Sequence, residues 1–219
     1  MKTEDEIKIP AGDATLNGNL SVPGSARGLV LFVHGSGSSR HSPRNRFVAR
    51  ALNEVGLATL LFDLLTSDEE KVDRYTRQHR FDISLLAARL DFATEWVLRE
   101  GSVRGLRIGY FGSSTGAAAA LVGAAARADI VGAVVSRGGR PDLAGNALAK
   151  VRAPTLLIVG SHDDVVIDLN RDAMADMRCK VKLELVAGAT HLFEEPGTLE
   201  QAARLAGAWF TEYLSSIPC

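Results

Sequence analysis

The chain has 219 residues, 46% of them hydrophobic and 23% charged, enough apolar mass for one globular domain over 1–219 and too much for a disordered or low-complexity chain. A formal net charge of −1 and a pI near 6.5 leave no basic field to hold nucleic acid or an anionic membrane. The opening "MKTEDEIKIP" carries acids where a secretory signal needs a positive end, and the apolar stretch Ala117–Ala126 falls short of the roughly 18 residues that suggest a membrane span.

In chain order, "EIKIP" and "ATLNGNLSVP" read as an antiparallel strand pair. Gly28–Val33 is a continuous apolar run, the pattern of a strand buried on both faces. A helix is predicted over Pro43–Val55 and ends at Gly56, a strand over Leu57–Phe62, and a helix over Phe81–Arg99 with Leu86, Leu90, Ala93 and Val97 on one face. A strand over Leu106–Phe111 leads into a helix from Thr115. There follow a strand "IVGAVV", a short helix near Leu143–Lys150, a strand "TLLIVG", a helix near Asp168–Met177, a strand "VKLELV" and a last helix Thr198–Leu214. No repeat interrupts this order. Strands alternating with helices after a leading hairpin predict an α/β fold, a mostly parallel sheet with helices on both faces. Ligands in such sheets sit at the C-terminal strand ends.

One connection stands out there. Gly112-Ser113-Ser114-Thr115-Gly116 crowds five small residues between "IGYF" and an alanine-rich helix, the strand–turn–helix context of a nucleophile elbow, Gly-x-Ser-x-Gly. Small flanking residues let the turn tighten until the Ser114 hydroxyl stands clear of the backbone above a helix N-terminus. The glycine spacing is not that of a dinucleotide loop, and no lysine follows as in a P-loop. A serine needs a base, and the base needs an orienting carboxylate, in the order Ser, acid, His. Of His162 and His191, the two histidines downstream, His191 lies just past a strand end and is the predicted base. The acid is expected in "SHDDVV", where Asp163 and Asp164 are equally placed, with Asp142 more distant. The oxyanion donors are expected to be the backbone N–H groups of Thr115, after the nucleophile, and Ser36, in "HGSGSS" after the first parallel strand; His34 shapes that turn.

Together "VHGSG" (Val33–Gly37), "GSSTG" (Gly112–Gly116), "VGSHD" (Val159–Asp163) and "GATHLFEEPG" (Gly188–Gly197) resemble the α/β-hydrolase family, specifically its small dienelactone-hydrolase-like branch, over essentially the whole chain. The resemblance implies Gly-x-x-Asp after the penultimate strand, which selects Asp163 over Asp164. It also implies acyl transfer to water by Ser114, His191 and Asp163, with no cofactor or metal; Ser114 stands where dienelactone hydrolase itself has cysteine. Some relatives of this kind are fused to a phosphoribosyltransferase domain, for which 219 residues leave no room.

About 18 residues separate Ser136 from Thr155, room for a short helix and not for a lid domain, which suits small or short-acyl esters, lactones or exposed ends of larger substrates; a thioesterase would use the same triad. The segment Asp63–Arg80 reads as a long charged loop, with Tyr75 as a candidate contact on the pocket wall. Arg40, Arg44, Arg137 and Arg140 occupy strand-end loops, where solvation is the simpler expectation and attraction of a carboxylate-bearing substrate the sharper one. Glu194 and Glu195 read as loop charges before a helix starting at Pro196, and Trp96 and Trp209 as core. A metal site of His162, Asp163, Asp164 and His191 lacks the usual ligand spacing, and a non-catalytic binding module would not need a complete triad. With only Cys179 and Cys219, the latter too close to the end for prenylation, the expectation is two reduced thiols in a cytoplasmic enzyme whose partner is a small-molecule ester.

Overall fold

The computed structural model describes residues 3–215; Cys219 lies outside them, and Cys179 is a free, half-buried thiol. Eight strands form one sheet in the order β1-β2-β4-β3-β5-β6-β7-β8. The leading hairpin, β1 (Thr3–Ala11) and β2 (Ala14–Val22), is antiparallel, and β2 also runs antiparallel to β4 (Ala58–Phe62). The remaining strands, β3 (Leu29–Val33), β5 (Ile108–Ser113), β6 (Val131–Arg137), β7 (Thr155–Gly160) and β8 (Val181–Val186), are parallel to their neighbours. Every residue of β3, β4, β5 and β7 is buried, the physical meaning of their unbroken apolar runs.

Helices α1 (Pro43–Glu54) and α6 (Thr198–Leu214) cover one face of the sheet, where Val48 and Leu52 pack with Phe210 and Leu214 around Phe32 and Phe111. On the other face lie α3 (Ile83–Arg99), α4 (Thr115–Ala126), a 3-10 helix (Pro141–Lys150) and α5 (Asp164–Asp176). Helix α4 is buried nearly all round, and its alanines and glycines let α3 and the sheet approach closely. A single 3-10 helix, broken at Gly145, fills the connection between β6 and β7, so no lid domain is inserted there. No helix among the described residues is long and apolar enough to cross a membrane.

Three local readings are corrected. Asp63–Arg80 is not a plain loop: it contains α2 (Ser67–Thr76), opened by a capping box in which Thr66 and Glu69 satisfy each other's backbone N–H groups. Tyr75, on α2, is 89% exposed and is not among the residues that line the cavity of Ser114 or the one beside it. Helix α5 begins at Asp164, four residues earlier than Asp168. Helix α6 spans Thr198–Leu214 as expected, after Pro196 and Gly197.

Candidate active site

The strand order reverses between β4-β3 and β3-β5, and the loops after β3, β5, β6, β7 and β8 converge outside this switch point. At the end of β5 the chain turns so sharply that Ser114 adopts φ 50° and ψ −126°, a conformation that side-chain-bearing residues rarely hold. Two contacts show why the flanking residues are glycine. A Cβ on Gly112 would lie 2.4 Å from Ala117 Cα, and one on Gly116 would lie 2.1 Å from the Val33 carbonyl oxygen. Both obstacles are backbone and cannot swing aside. Gly116→Ala is therefore expected to destabilise the fold by about 3 kcal/mol, lowering the thermal midpoint by roughly 5–10 °C; a wild-type melting curve would refute the packing argument.

The neighbouring loops are fastened to this turn. Ser113 Oγ donates to Asn45 Oδ1 at 3.0 Å, tying α1 to the elbow through a buried pair. His34 is buried, and burial lowers its pKa, keeping the ring neutral. Its Nε2 accepts the Leu64 N–H at 3.1 Å and its Nδ1 lies 3.0 Å from the Gly35 carbonyl, which assigns the proton to Nδ1. His34 thus fixes the loop carrying Ser36 against the one after β4.

Asp163 immediately precedes α5 and, rather than capping the helix, directs Oδ2 to His191 Nδ1 at 2.6 Å, whereas Asp164, one residue on, is exposed in the first helical turn. With Nδ1 donating to the carboxylate, the lone pair of His191 Nε2 is free for a proton. The His191 loop is braced from below. Glu195 accepts the Thr190 N–H at 3.1 Å and the Thr190 hydroxyl at 2.6 Å, and these two bonds hold its carboxyl below the usual range. Glu195 is thus more than a loop charge. As a positioning residue, its replacement by alanine is expected to lower kcat on the order of tenfold with KM nearly kept, and Glu195→Gln to recover part of the loss. A KM effect with unchanged kcat would refute that role.

Ser114, His191, Ser36 and Arg137 share the wall of one cavity of about 220 Å³. No hydrogen bond joins Ser114 Oγ to the His191 ring among the described residues, a contact that commonly tightens only around a substrate. Ser36 and Thr115 are brought together, and the Ser36 N–H is given to the Thr115 hydroxyl at 2.9 Å. Through Ser38, Ser42 and Arg44 the cavity borders a second, polar one of about 700 Å³ reaching Glu70 and Arg80. His162 and Asp164 are exposed, and no three His, Cys, Asp or Glu side chains among the described residues are grouped to hold a metal ion.

The four strand-end arginines divide. Arg40 pairs with Asp63, Arg44 with Glu194 at 3.2 Å, and Arg140 with Asp142 through its Nε and Nη2, which donate to the two carboxylate oxygens at 2.9 and 2.7 Å. Arg137 is different: it is 7% exposed and its Nε and Nη1 have no partner among the described residues. Solvation, the simpler expectation, fails for this one. Its placement follows from register, because Arg137 pairs laterally with Ser113, the residue before Ser114.

A family model described as "Dienelactone hydrolase family" matches residues 23–216. A crystal structure of a dienelactone hydrolase from Anabaena variabilis is 54% identical, with a TM-score of 0.96 over 97% of this chain and 99% of that one. Est1E from Butyrivibrio proteoclasticus, at 17% identity, shares the fold with a TM-score of 0.79 over 96% of this chain and 99% of its own. A Mycobacterium tuberculosis (strain H37Rv) protein named "Putative phosphoribosyl transferase" is 56% identical over 96% of this chain and 47% of its own length, so the chain spans about half of that curated relative. The β5 elbow and the strand order agree with the family model and the Anabaena structure: the chain belongs to the dienelactone hydrolase family, with an α/β-hydrolase fold.

Proposed function

We propose that this chain is a serine hydrolase of small or short-acyl carboxylic esters, acting as one catalytic unit in the cytoplasm. The observation that carries this reading is the 2.6 Å contact of Asp163 with His191 in a cavity whose wall includes a serine at φ 50°. Ser114 Oγ attacks the ester carbonyl while His191 Nε2 takes its proton, and Asp163 stabilises the imidazolium that forms. The tetrahedral oxyanion takes the N–H of Thr115 and that of Ser36. For the latter it displaces the neutral Thr115 hydroxyl, which a charge-assisted bond, about twice as strong, outcompetes. His191 then protonates the leaving alcohol; in deacylation it takes a proton from water, whose oxygen attacks the acyl carbon, and returns that proton to Ser114 Oγ as the acyl–serine bond breaks. Every step uses side chains and backbone of this chain.

Cavity size supports the substrate class. About 220 Å³ around the nucleophile is below the ~300–1,000 Å³ usual for drug-sized ligands, so the acyl part is short. The adjoining 700 Å³ is polar and open enough for a leaving group of varied shape. The name of the 54% identical Anabaena protein supports including lactones. A fluorophosphonate probe tests the reading: the peptide bearing Ser114 is expected to be labelled in the wild type and unlabelled in Ser114→Ala. A folded wild-type protein that takes no label, or an activity removed by chelators and untouched by the probe, would end it.

A further inference from the structure

We infer that the free edge of β8 pairs with β8 of a second copy of this chain, antiparallel about a two-fold axis at Leu183, to form a homodimer. The inference is independent of the serine-hydrolase reading, and each copy keeps its own site. β8 (Val181–Val186) is the last strand of the sheet, and among the described residues no strand lies on its outer side. The Thr155 N–H donates to the Lys180 carbonyl at 2.8 Å and the Ser161 N–H to the Val186 carbonyl at 2.9 Å. By alternation, Lys182 and Glu184 also turn their backbone groups inward to β7, and Val181, Leu183 and Leu185 point theirs outward. Such a row of unpaired groups is a template for another strand unless something blunts it. The opposite edge, β1, carries Glu4, Asp5, Glu6 and Pro10. β8 has no proline, and Lys182 is neutralised by Glu184, two residues on, at 2.6 Å. Leu185 is left 41% exposed at this rim.

Register selects a second copy as the occupant. Outward residues must meet outward residues to exchange hydrogen bonds, which leaves few two-fold alignments. With the axis at Leu183, Val181 of each copy meets Leu185 of the other, Leu183 meets its counterpart, and Lys182 of each copy stands opposite Glu184 of the other. The outward residues then exchange about six hydrogen bonds, and the lysine–glutamate pairs fall at the closer cross-strand spacing, about 4.5 Å between Cα atoms. Moving the axis one residue toward either end sets Lys182 against Lys182 or Glu184 against Glu184, and like charges directly opposite disfavour both alignments. The run Val-Lys-Leu-Glu-Leu is thus complementary to its own reverse in charge and in apolar pairing. Leu183 already packs on Val159, Val166 and Ile167, so the pairing extends this small cluster across the axis and covers Leu185. One strand pair buries less than the roughly 1,200–2,000 Å² of a stable complex, so the dimer is expected to be weak, with Kd on the order of micromolar.

Sedimentation equilibrium between about 1 and 300 μM is expected to show the mass of the wild type rising from 23.4 kDa toward twice that value. Lys182→Glu and Glu184→Lys each set like charges opposite one another in both cross-strand pairs, and each is expected to raise Kd about 10- to 100-fold. Neither side chain is buried, so both variants are expected to fold, which a melting curve checks. Mixing the two variants places opposite charges across the axis again and is expected to return a dimer close to wild type in affinity. The double variant Lys182→Glu/Glu184→Lys is expected to do the same by itself. A wild type that stays monomeric over the whole range would overturn the proposal. A dimer indifferent to both single changes would overturn it too, by placing the contact on another surface. Two weakened variants that mixing does not rescue would overturn the Leu183 axis.

Discussion

Ser114→Ala is expected to lower kcat on a short p-nitrophenyl ester by about a millionfold, leaving only the modest rate that an oxyanion hole and binding provide. The expectation comes from the turn rather than from the serine alone. Ser114 sits at φ 50° and ψ −126°, between residues whose added Cβ atoms would strike backbone, and such a conformation costs of order 1–3 kcal/mol for a residue with a side chain. A fold that keeps a strained serine where glycine would be easier is holding the hydroxyl for a purpose. Ser114→Gly should accordingly melt at or above the wild-type temperature, by about 1 kcal/mol of stability, while being as inactive as the alanine variant. A Ser114→Ala protein with more than about 1% of wild-type kcat would place the nucleophile elsewhere. A glycine variant less stable than wild type would mean that the hydroxyl is structural.

How much of this was legible in the sequence follows from what each feature depends on. The strands could be read because burial on both faces forces unbroken apolar runs such as "LVLFV" and "TLLIVG". The elbow could be read because its sterics admit so few residues. Helix α2 was missed because it has no apolar stripe: its one buried residue is Asp73, which accepts the His79 and Arg80 N–H groups. Its start was nevertheless written in Thr66-x-x-Glu69, a signal of capping rather than of periodicity. Arg137 could not be read as buried, since an arginine after a strand looks like its solvated neighbours until lateral register places it beside Ser113. Glu195 and Asn45 escaped for a related reason. They act by contacts to Thr190 and Ser113, and no spacing rule records which acid or amide will reach them.

Asp163→Asn is expected to lower kcat by about 10⁴-fold, whereas Asp164→Asn should stay near wild type. Adjacent in sequence and identical in chemistry, the two acids are separated by where helix α5 begins. Asp163 precedes the first turn and points back to His191 Nδ1 at 2.6 Å; Asp164 is already helical and exposed. Asparagine at 163 has a similar shape, but its amide can donate to Nδ1 and so favour the tautomer with the proton on Nε2, the atom that must accept the serine proton. The carboxylate's stabilisation of the imidazolium is lost as well. Asp142 cannot substitute, because both of its oxygens are held by Arg140. The loss should therefore fall on kcat, with the Asn variant folded and KM little changed. If Asp164→Asn were instead the damaging change, the start of α5 would have to be redrawn with its first turn beginning one residue later. If both variants kept full activity, His191 would be working without an orienting acid.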